Sequence, residues 1–253
     1  MNGDYADALA GRVAVVTGGA GGIGAGICEV LARAGARVAI GYRHSEAQAC
    51  ELAQRLPGGP HLALRAPVTD SAALAAAARV IDASWGRCDL LVNCAGTTRY
   101  VAHGDLEGLD DALIDTILAT NVRGPFATVR AFRALLERAP GALIVNISSV
   151  AARIAMGSNV IYCASKAAVD NMTQSLARAL APSTRVISIA PGLVDTGFVA
   201  GLGRAWLDEQ RARTLLGRLA TPEEIGLAVL VAAIGLPHST GVVLPIDGGR
   251  ALA

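Results

Sequence analysis

Seven short, near-continuous apolar runs punctuate the chain, at 12–18, 37–42, 61–67, 88–96, 141–149, 184–192 and 241–249. They are rich in Val, Ile and Leu and have the length of strands. Between them, at 22–34, 45–56, 71–85, 111–138, 161–181 and 221–234, Ala- and Leu-rich stretches carry helical periodicity. A strand covered on both faces loses the simple alternation of a half-exposed one. The pattern therefore predicts βαβ units and a doubly wound (Rossmann) α/β fold, a parallel sheet of about seven strands with helices on both faces. No repeat, low-complexity tract or linker interrupts it, so residues 1–253 are expected to form a single domain.

The polar and glycine residues gather where the apolar runs end. "TGGAGGIG", "NCAG", "NISS" and "APGLVDT" all follow a strand. In an open parallel sheet ligands bind outside the carboxyl ends of the strands, so these four segments are expected to share one cleft.

Composition narrows the function classes. Hydrophobic residues at 53% and charged residues at 17% allow a sizeable core. A net charge of +1 gives no overall basic signature for nucleic acid. No apolar run reaches the roughly 18 residues of a membrane span, and the polar, acidic start "MNGDYADALAGR" lacks the basic region of a signal peptide. Five Cys (28, 50, 88, 94, 163) show no CxxC spacing and the four His are scattered. That pattern predicts no disulfide, no metal site and a reducing, cytoplasmic setting.

The first strand end points to a nucleotide. "VAVVTGGAGGIG" places Gly18, Gly22, Ile23 and Gly24 between a strand and a helix. Glycine removes Cβ where a phosphate meets the backbone, and the helix start offers free N–H groups. The second strand ends in Tyr42, Arg43, His44 and Ser45, where readers of NAD place an acidic residue for the ribose hydroxyls. Arg43 can pair with a 2′-phosphate and Ser45 can donate to it, so NADP(H) is expected over NAD(H). The competing reading is a solvated arginine in a loop.

One residue stands out by scarcity. Of 22 basic side chains 21 are Arg, and the single Lys is Lys166, four residues after Tyr162 in "YCASK". Positions i and i+4 share a helix face. A compact ammonium suits a site beneath a phenol where a flat guanidinium does not, and it favours the phenolate.

With "TGGAGGIG", "NCAG", "NISS", "YCASK" and "PGLVDT" in this order, the chain resembles the short-chain dehydrogenase/reductase family from about residue 9 to 250. It also resembles the family's 3-oxoacyl-carrier-protein reductases. The resemblance implies that Tyr162 is the acid/base, with Lys166 supporting it and holding the nicotinamide ribose. Ser149 would bond the substrate oxygen, and Asn121 would support a water relay to the lysine. Ser148 is the neighbouring alternative to Ser149, and strand alternation turns it to the other face. The resemblance places Val68 on the adenine and Asn93, Ala95 and Gly96 beside the adenine ribose. Pro191, Gly192, Val194 and Thr196 would lie along the carboxamide. Two departures are Cys94, where many relatives have Asn, and Pro67, where many have an adenine-bonding Asp.

Residues 193–218 are expected to cover the substrate, with Phe198, Leu202, Trp206 and Leu207 as an apolar cover and Gly197, Gly201 and Gly203 as hinges. Ile154 and Met156 would line the opposite wall. The pocket suits a medium-sized, mainly apolar ketone or secondary alcohol. Arg99 and Arg153 could bind an anionic group or be solvated. The thin basic cluster near Arg138 leaves a 3-oxoacyl thioester reductase as the alternative. A non-catalytic nucleotide sensor is the remote one, since fold alone does not fix function. Helices 111–138 and 161–181 carry more apolar surface than one sheet face needs, and the resemblance implies that they pair between subunits of a homotetramer or homodimer.

Overall fold

The computed structural model describes residues 5–197 and 203–252. Seven strands form one parallel sheet. They are β1 (Val13–Thr17), β2 (Arg37–Tyr42), β3 (Leu62–Arg65), β4 (Leu90–Asn93), β5 (Ala142–Ile147), β6 (Thr184–Pro191) and β7 (Val242–Ile246). Their order is β3-β2-β1-β4-β5-β6-β7, so the chain reverses its winding between β1 and β4. That reversal opens a crevice at the carboxyl edge, where the sequence placed its glycine and polar segments.

Alternate strand residues feed two cores. Ala14, Val16, Leu143, Val145 and Ile147 face one layer, with Ile27 and Leu31 of α1 (Gly22–Arg33) and Ile225 and Val229 of the last α-helix. Val13, Val15, Ala142 and Ile144 face the other, with Leu74 and Ile81 of α3 (Ser71–Trp85) and Phe132 and Leu136 further along. Both faces of the central strands are fully buried, which is why those runs read as continuous hydrophobics. The remaining helices are α2 (Glu46–Arg55), α4 (Asp111–Leu118), α5 (Gly124–Glu137), α6 (Ala151–Ile154), α7 (Val160–Leu180), α8 (Arg204–Ala212) and α9 (Pro222–Ile234). Asp70 caps α3, and Thr221 with Glu224 forms a capping box on α9.

The continuous helix expected over 111–138 is broken. Residues Ala119–Arg123 form a π turn between α4 and α5, and the Gly124 N–H reaches back to Ala119 O. Pro125 explains the break. It has no N–H to give to the carbonyl of Asn121, and its ring would collide with that carbonyl in a regular helix. The wider turn removes the clash and displaces Asn121 from the regular register.

Candidate active site

The crevice is a cleft of about 620 Å³. Of the residues expected to hold a cofactor, Gly18, Gly22, Ile23, Gly24, Tyr42, Arg43, Ser45, Val68, Ala95, Gly96 and Thr196 line it. The glycine loop is as tight as the phosphate reading requires. Gly18 adopts φ +64°, and a Cβ on Gly24 would lie 2.2 Å from the Gly18 carbonyl oxygen. Gly21 precedes α1 and supplies no side-chain cap, so the first N–H groups of the helix are left to a ligand. Exposed backbone donors at a positive dipole end fit a pyrophosphate.

At the far end, Tyr42 is buried and sits opposite Arg65 in the β2–β3 register. Burial pushes the Tyr42 phenol up, with the Glu46 carboxylate adding to the effect. Arg43, His44 and Ser45 line this end of the cleft, while Arg65 stands beside Tyr42 outside the lining and Glu46 is the nearby acid. Arg65 was not among the sequence expectations. Only the strand register brings it beside Tyr42.

The other expected cofactor residues occupy the strand ends behind the lining. Asn93 is buried and donates from Nδ2 to Asn146 Oδ1 across the sheet, and Asn146 in turn donates to Thr173 Oγ1. Asn93 Oδ1 is the one buried side-chain polar atom without a partner among the described residues. Pro191 accepts from the Val150 N–H, Gly192 donates to Ile246 O, and Val194 bridges to Ala220. Thr196 folds over the glycine loop so closely that a Cβ on Gly22 would lie 2.8 Å from its methyl group.

Lys166 is buried, and its Nζ donates to Ile147 O at 2.9 Å. Nζ lies 5.7 Å from the centre of the Tyr162 ring. It lies 3.7 Å from where a Cβ would stand on Gly96, a cleft residue, so the ammonium reaches the cleft between the phenol and the β4 loop. Half-buried Cys94 borders the same space. Burial pushes its thiol up to about 12, with the Lys166 ammonium pulling the other way.

Asn121, on the π turn, donates from Nδ2 to Thr97 O and Ser165 Oγ and accepts the Thr97 N–H on Oδ1. Ser149 is half-buried just beyond β5, its Oγ accepting from Ala151 N–H. Ser148 is buried and turned away, donating to Lys166 O.

Three residues near Tyr162 escaped the sequence reading. Gly157 packs on the phenol ring, since a Cβ there would lie 3.2 Å from Tyr162 Cδ1. Ser165 donates to Tyr162 O. Asn159 caps α7, accepting the Tyr162 N–H itself. An Asn before a helix start is an ordinary cap signal and could have been found.

Arg99 is occupied by Gly108 O and Asp110. Ile154 is half-buried and Met156 is exposed. Trp206 and Leu207 lie on α8, while Phe198, Gly201 and Leu202 fall outside the described residues. All five cysteines are free, and no cluster of metal-ligating side chains occurs among the described residues. No helix among them is long and apolar enough to cross a membrane.

The family model described as Enoyl-(Acyl carrier protein) reductase matches residues 18–251. D-threitol dehydrogenase of Mycolicibacterium smegmatis is 38% identical over 97% of this chain and 95% of its own. Cis-4-hydroxycyclohexanecarboxylate dehydrogenase of Sinomonas cyclohexanicum is 37% identical over 96% and 98%. The solved short-chain dehydrogenase/reductase of Serratia marcescens superposes with a TM-score of 0.88 at 35% identity, covering 96% of this chain and 99% of its own. Likeness of this depth over nearly the whole length, on the same sheet and with the same ordered motifs, makes the chain a member of the short-chain dehydrogenase/reductase family, an oxidoreductase of ketones and alcohols that works with a nicotinamide cofactor.

Proposed function

We propose that this enzyme passes a hydride between NADP(H) and the carbonyl or secondary alcohol carbon of a medium-sized, mainly apolar substrate, with Tyr162 as the general acid/base. The observation that carries this reading is the placement of Lys166. The only ammonium-bearing side chain of the chain is buried between the Tyr162 ring and the floor of the cleft. An isolated buried charge is costly and needs a partner that repays it.

The bound nicotinamide supplies the hydride for reduction or takes it in oxidation. The glycine loop holds the pyrophosphate with backbone N–H groups. Tyr162 gives its phenolic proton to the substrate oxygen during reduction and takes it back during oxidation. Ser149 Oγ donates a hydrogen bond to the same oxygen and fixes its direction. Lys166 Nζ holds the ribose and keeps positive charge beside the phenol. Asn121 fixes the backbone at Thr97 and the neighbouring Ser165, leaving the cleft side of Lys166 for a water relay.

Arg43 and Ser45, which line the cleft, support a 2′-phosphate over free ribose hydroxyls, because a guanidinium and a hydroxyl suit a dianion, and Arg65 adds positive charge beside Tyr42. Residues 193–218 serve as the substrate cover, and α8 lies within them. Residues 1–253 work as one domain. Leu118 and Phe126 are exposed beside Met172, Asp115 and Arg123, and this face supports pairing of α4, α5 and α7 between subunits of a homotetramer or homodimer. A cytoplasmic setting accords with five free thiols.

A 3-oxoacyl thioester remains the second reading, because a Streptomyces violaceoruber relative 34% identical over 97% of this chain is named a putative ketoacyl reductase of a polyketide synthase. Against it, Arg133 is paired with Glu137 and Arg138 with Asp82 on this chain. The test is a fluorescence titration with NADPH and NADH, followed by a turnover panel of cyclic ketones, acyclic ketones and 3-oxoacyl thioesters. At least tenfold tighter NADPH binding with turnover of simple ketones is expected. Equal or tighter NADH binding overturns the cofactor assignment, and turnover confined to thioesters overturns the substrate class.

A further inference from the structure

Asn159 is completely buried, and its amide is fully used. Oδ1 accepts the Tyr162 N–H at 2.7 Å, while Nδ2 donates to Arg99 O at 2.7 Å and to Thr98 Oγ1 at 3.2 Å. A helix cap needs only the acceptor, which Ser, Thr or Asp would supply as well. The two donors do something else. They tie the start of α7 to the segment that follows β4.

The same segment is gripped from the other side. Asn121 accepts the Thr97 N–H at 2.8 Å and donates to Thr97 O at 3.0 Å. Its Nδ2 also reaches Ser165 Oγ at 3.1 Å, and Ser165 Oγ donates to Tyr162 O at 2.7 Å. The backbone N–H and C=O of Tyr162 are thus both held, one through Asn159 and one through Ser165. Both paths end on residues 97–99. Thr98 and Ser158 share a further hydroxyl contact at 2.5 Å, and the Val101 N–H donates to Ser158 O at 2.8 Å.

We propose that Asn159 is a positioning residue, closing with Asn121 and Ser165 a hydrogen-bonded ring that fixes the backbone of Tyr162 against residues 97–99. The inference rests on Tyr162 being the acid/base. Its physical content is geometric. Thr97 borders the cleft, so one short segment sets both a cleft wall and the seat of the phenol. A hydrogen-bonded network anchored on the buried Asn121, Asn159 and Ser165 holds such a seat against the part-exposed segment 97–99, and a misplacement on the order of 1 Å can cost about a hundredfold in rate. A cap alone would stabilise α7 without choosing where its first turn stands.

The test compares Asn159→Ala, Asn159→Ser and Thr98→Val with wild type and Tyr162→Phe, well below their unfolding midpoints. The readouts are kcat, KM and NADPH affinity with the ketone that wild type turns over fastest in the panel above. Asn159→Ala is expected to lower kcat about tenfold to a hundredfold, with NADPH affinity held within about threefold. Asn159→Ser restores the cap acceptor but not the two donors. It is expected to recover the unfolding midpoint while kcat stays at least about fivefold below wild type. Thr98→Val removes one of the two ties and is expected to lower kcat by a smaller factor.

Wild-type kcat in Asn159→Ser, or losses in all three variants that only follow the folded fraction, would overturn the proposal. Should Asn159→Ala fail to fold, the other two variants decide in the same way. A dead Tyr162→Phe beside a fully active Asn159→Ser sinks the ring and leaves the acid/base reading standing. An active Tyr162→Phe sinks that reading, and the ring as a catalytic device falls with it.

Discussion

Lys166→Met separates the chemistry of the lysine from its contribution to stability. Lys166 is only 7% exposed, and its ammonium has Ile147 O as its protein acceptor at 2.9 Å. A hydrogen bond from a charged donor contributes about 1.5–3 kcal/mol. Keeping an ammonium out of water costs several kcal/mol, which the substitution removes. Met retains most of the unbranched stem, so packing changes little. The opposing terms nearly cancel, and the expected net change is within about 1 kcal/mol of zero. A chain of this size shifts its midpoint by about 2–4 °C per kcal/mol, so scanning calorimetry should find a Tm within about 4 °C of wild type. Turnover is another matter, because loss of support for an acid/base group removes about 10²–10⁴ in kcat. Lys166→Arg keeps the charge and should not rescue turnover. Its wider head has to fit between Ile147 O, the Tyr162 ring and Gly96, at an overpacking cost of about 1–3 kcal/mol. A Lys166→Met protein that loses more than about 10 °C while its folded fraction turns over normally would refute this reasoning and make the lysine a structural residue.

Two further predictions concern the rim of the cleft and the acid limb of stability. Arg43→Glu is expected to weaken NADPH binding at least about tenfold and leave NADH binding unchanged, with Arg65→Ala acting more weakly in the same direction; equal losses for both cofactors in the titration would contradict it. The Glu224 carboxyl is pulled down to about 2, first by the Arg218 guanidinium, with the Thr221 backbone N–H also contributing. Its folded pKa lies below the unfolded value of about 4.3, so this stabilisation is present above that pH and fades as pH falls towards 2. Thermal midpoints of wild type and Glu224→Gln should therefore differ near neutrality, draw together as pH falls below about 4, and converge only near pH 2; a constant gap would show that the charge plays no part.

The sheet was legible because two independent constraints agreed along it. Central strands buried on both faces must be continuous hydrophobics, and the cleft must fall where their carboxyl ends carry glycine and polar residues. Gly18, Gly24, Tyr162 and Lys166 could be found because each sits at a strand end or on a helix face fixed by local spacing. The break at Asn121 was missed, although Gly124 and Pro125 announce it, because the apolar periodicity of 111–138 outweighed one proline. α6 has four residues and leaves no period to read, and α8, "RAWLDEQRA", is polar on most of its surface. Arg65 comes beside Tyr42 only through strand register. Asn159 and Ser165 act through partners more than 40 residues away in sequence, or through the backbone of Tyr162. No local pattern encodes the long-range contacts, although the Asn159 cap on the Tyr162 N–H is a local signal.

The most direct measurement is steady-state turnover of Tyr162→Phe beside its NADPH affinity. The substitution removes one oxygen and leaves the ring that packs on Gly157. The account predicts NADPH binding within about threefold of wild type and a loss of at least about 10² in kcat. Turnover within about threefold of wild type, with NADPH bound as before, would contradict the assignment of Tyr162 as the acid/base.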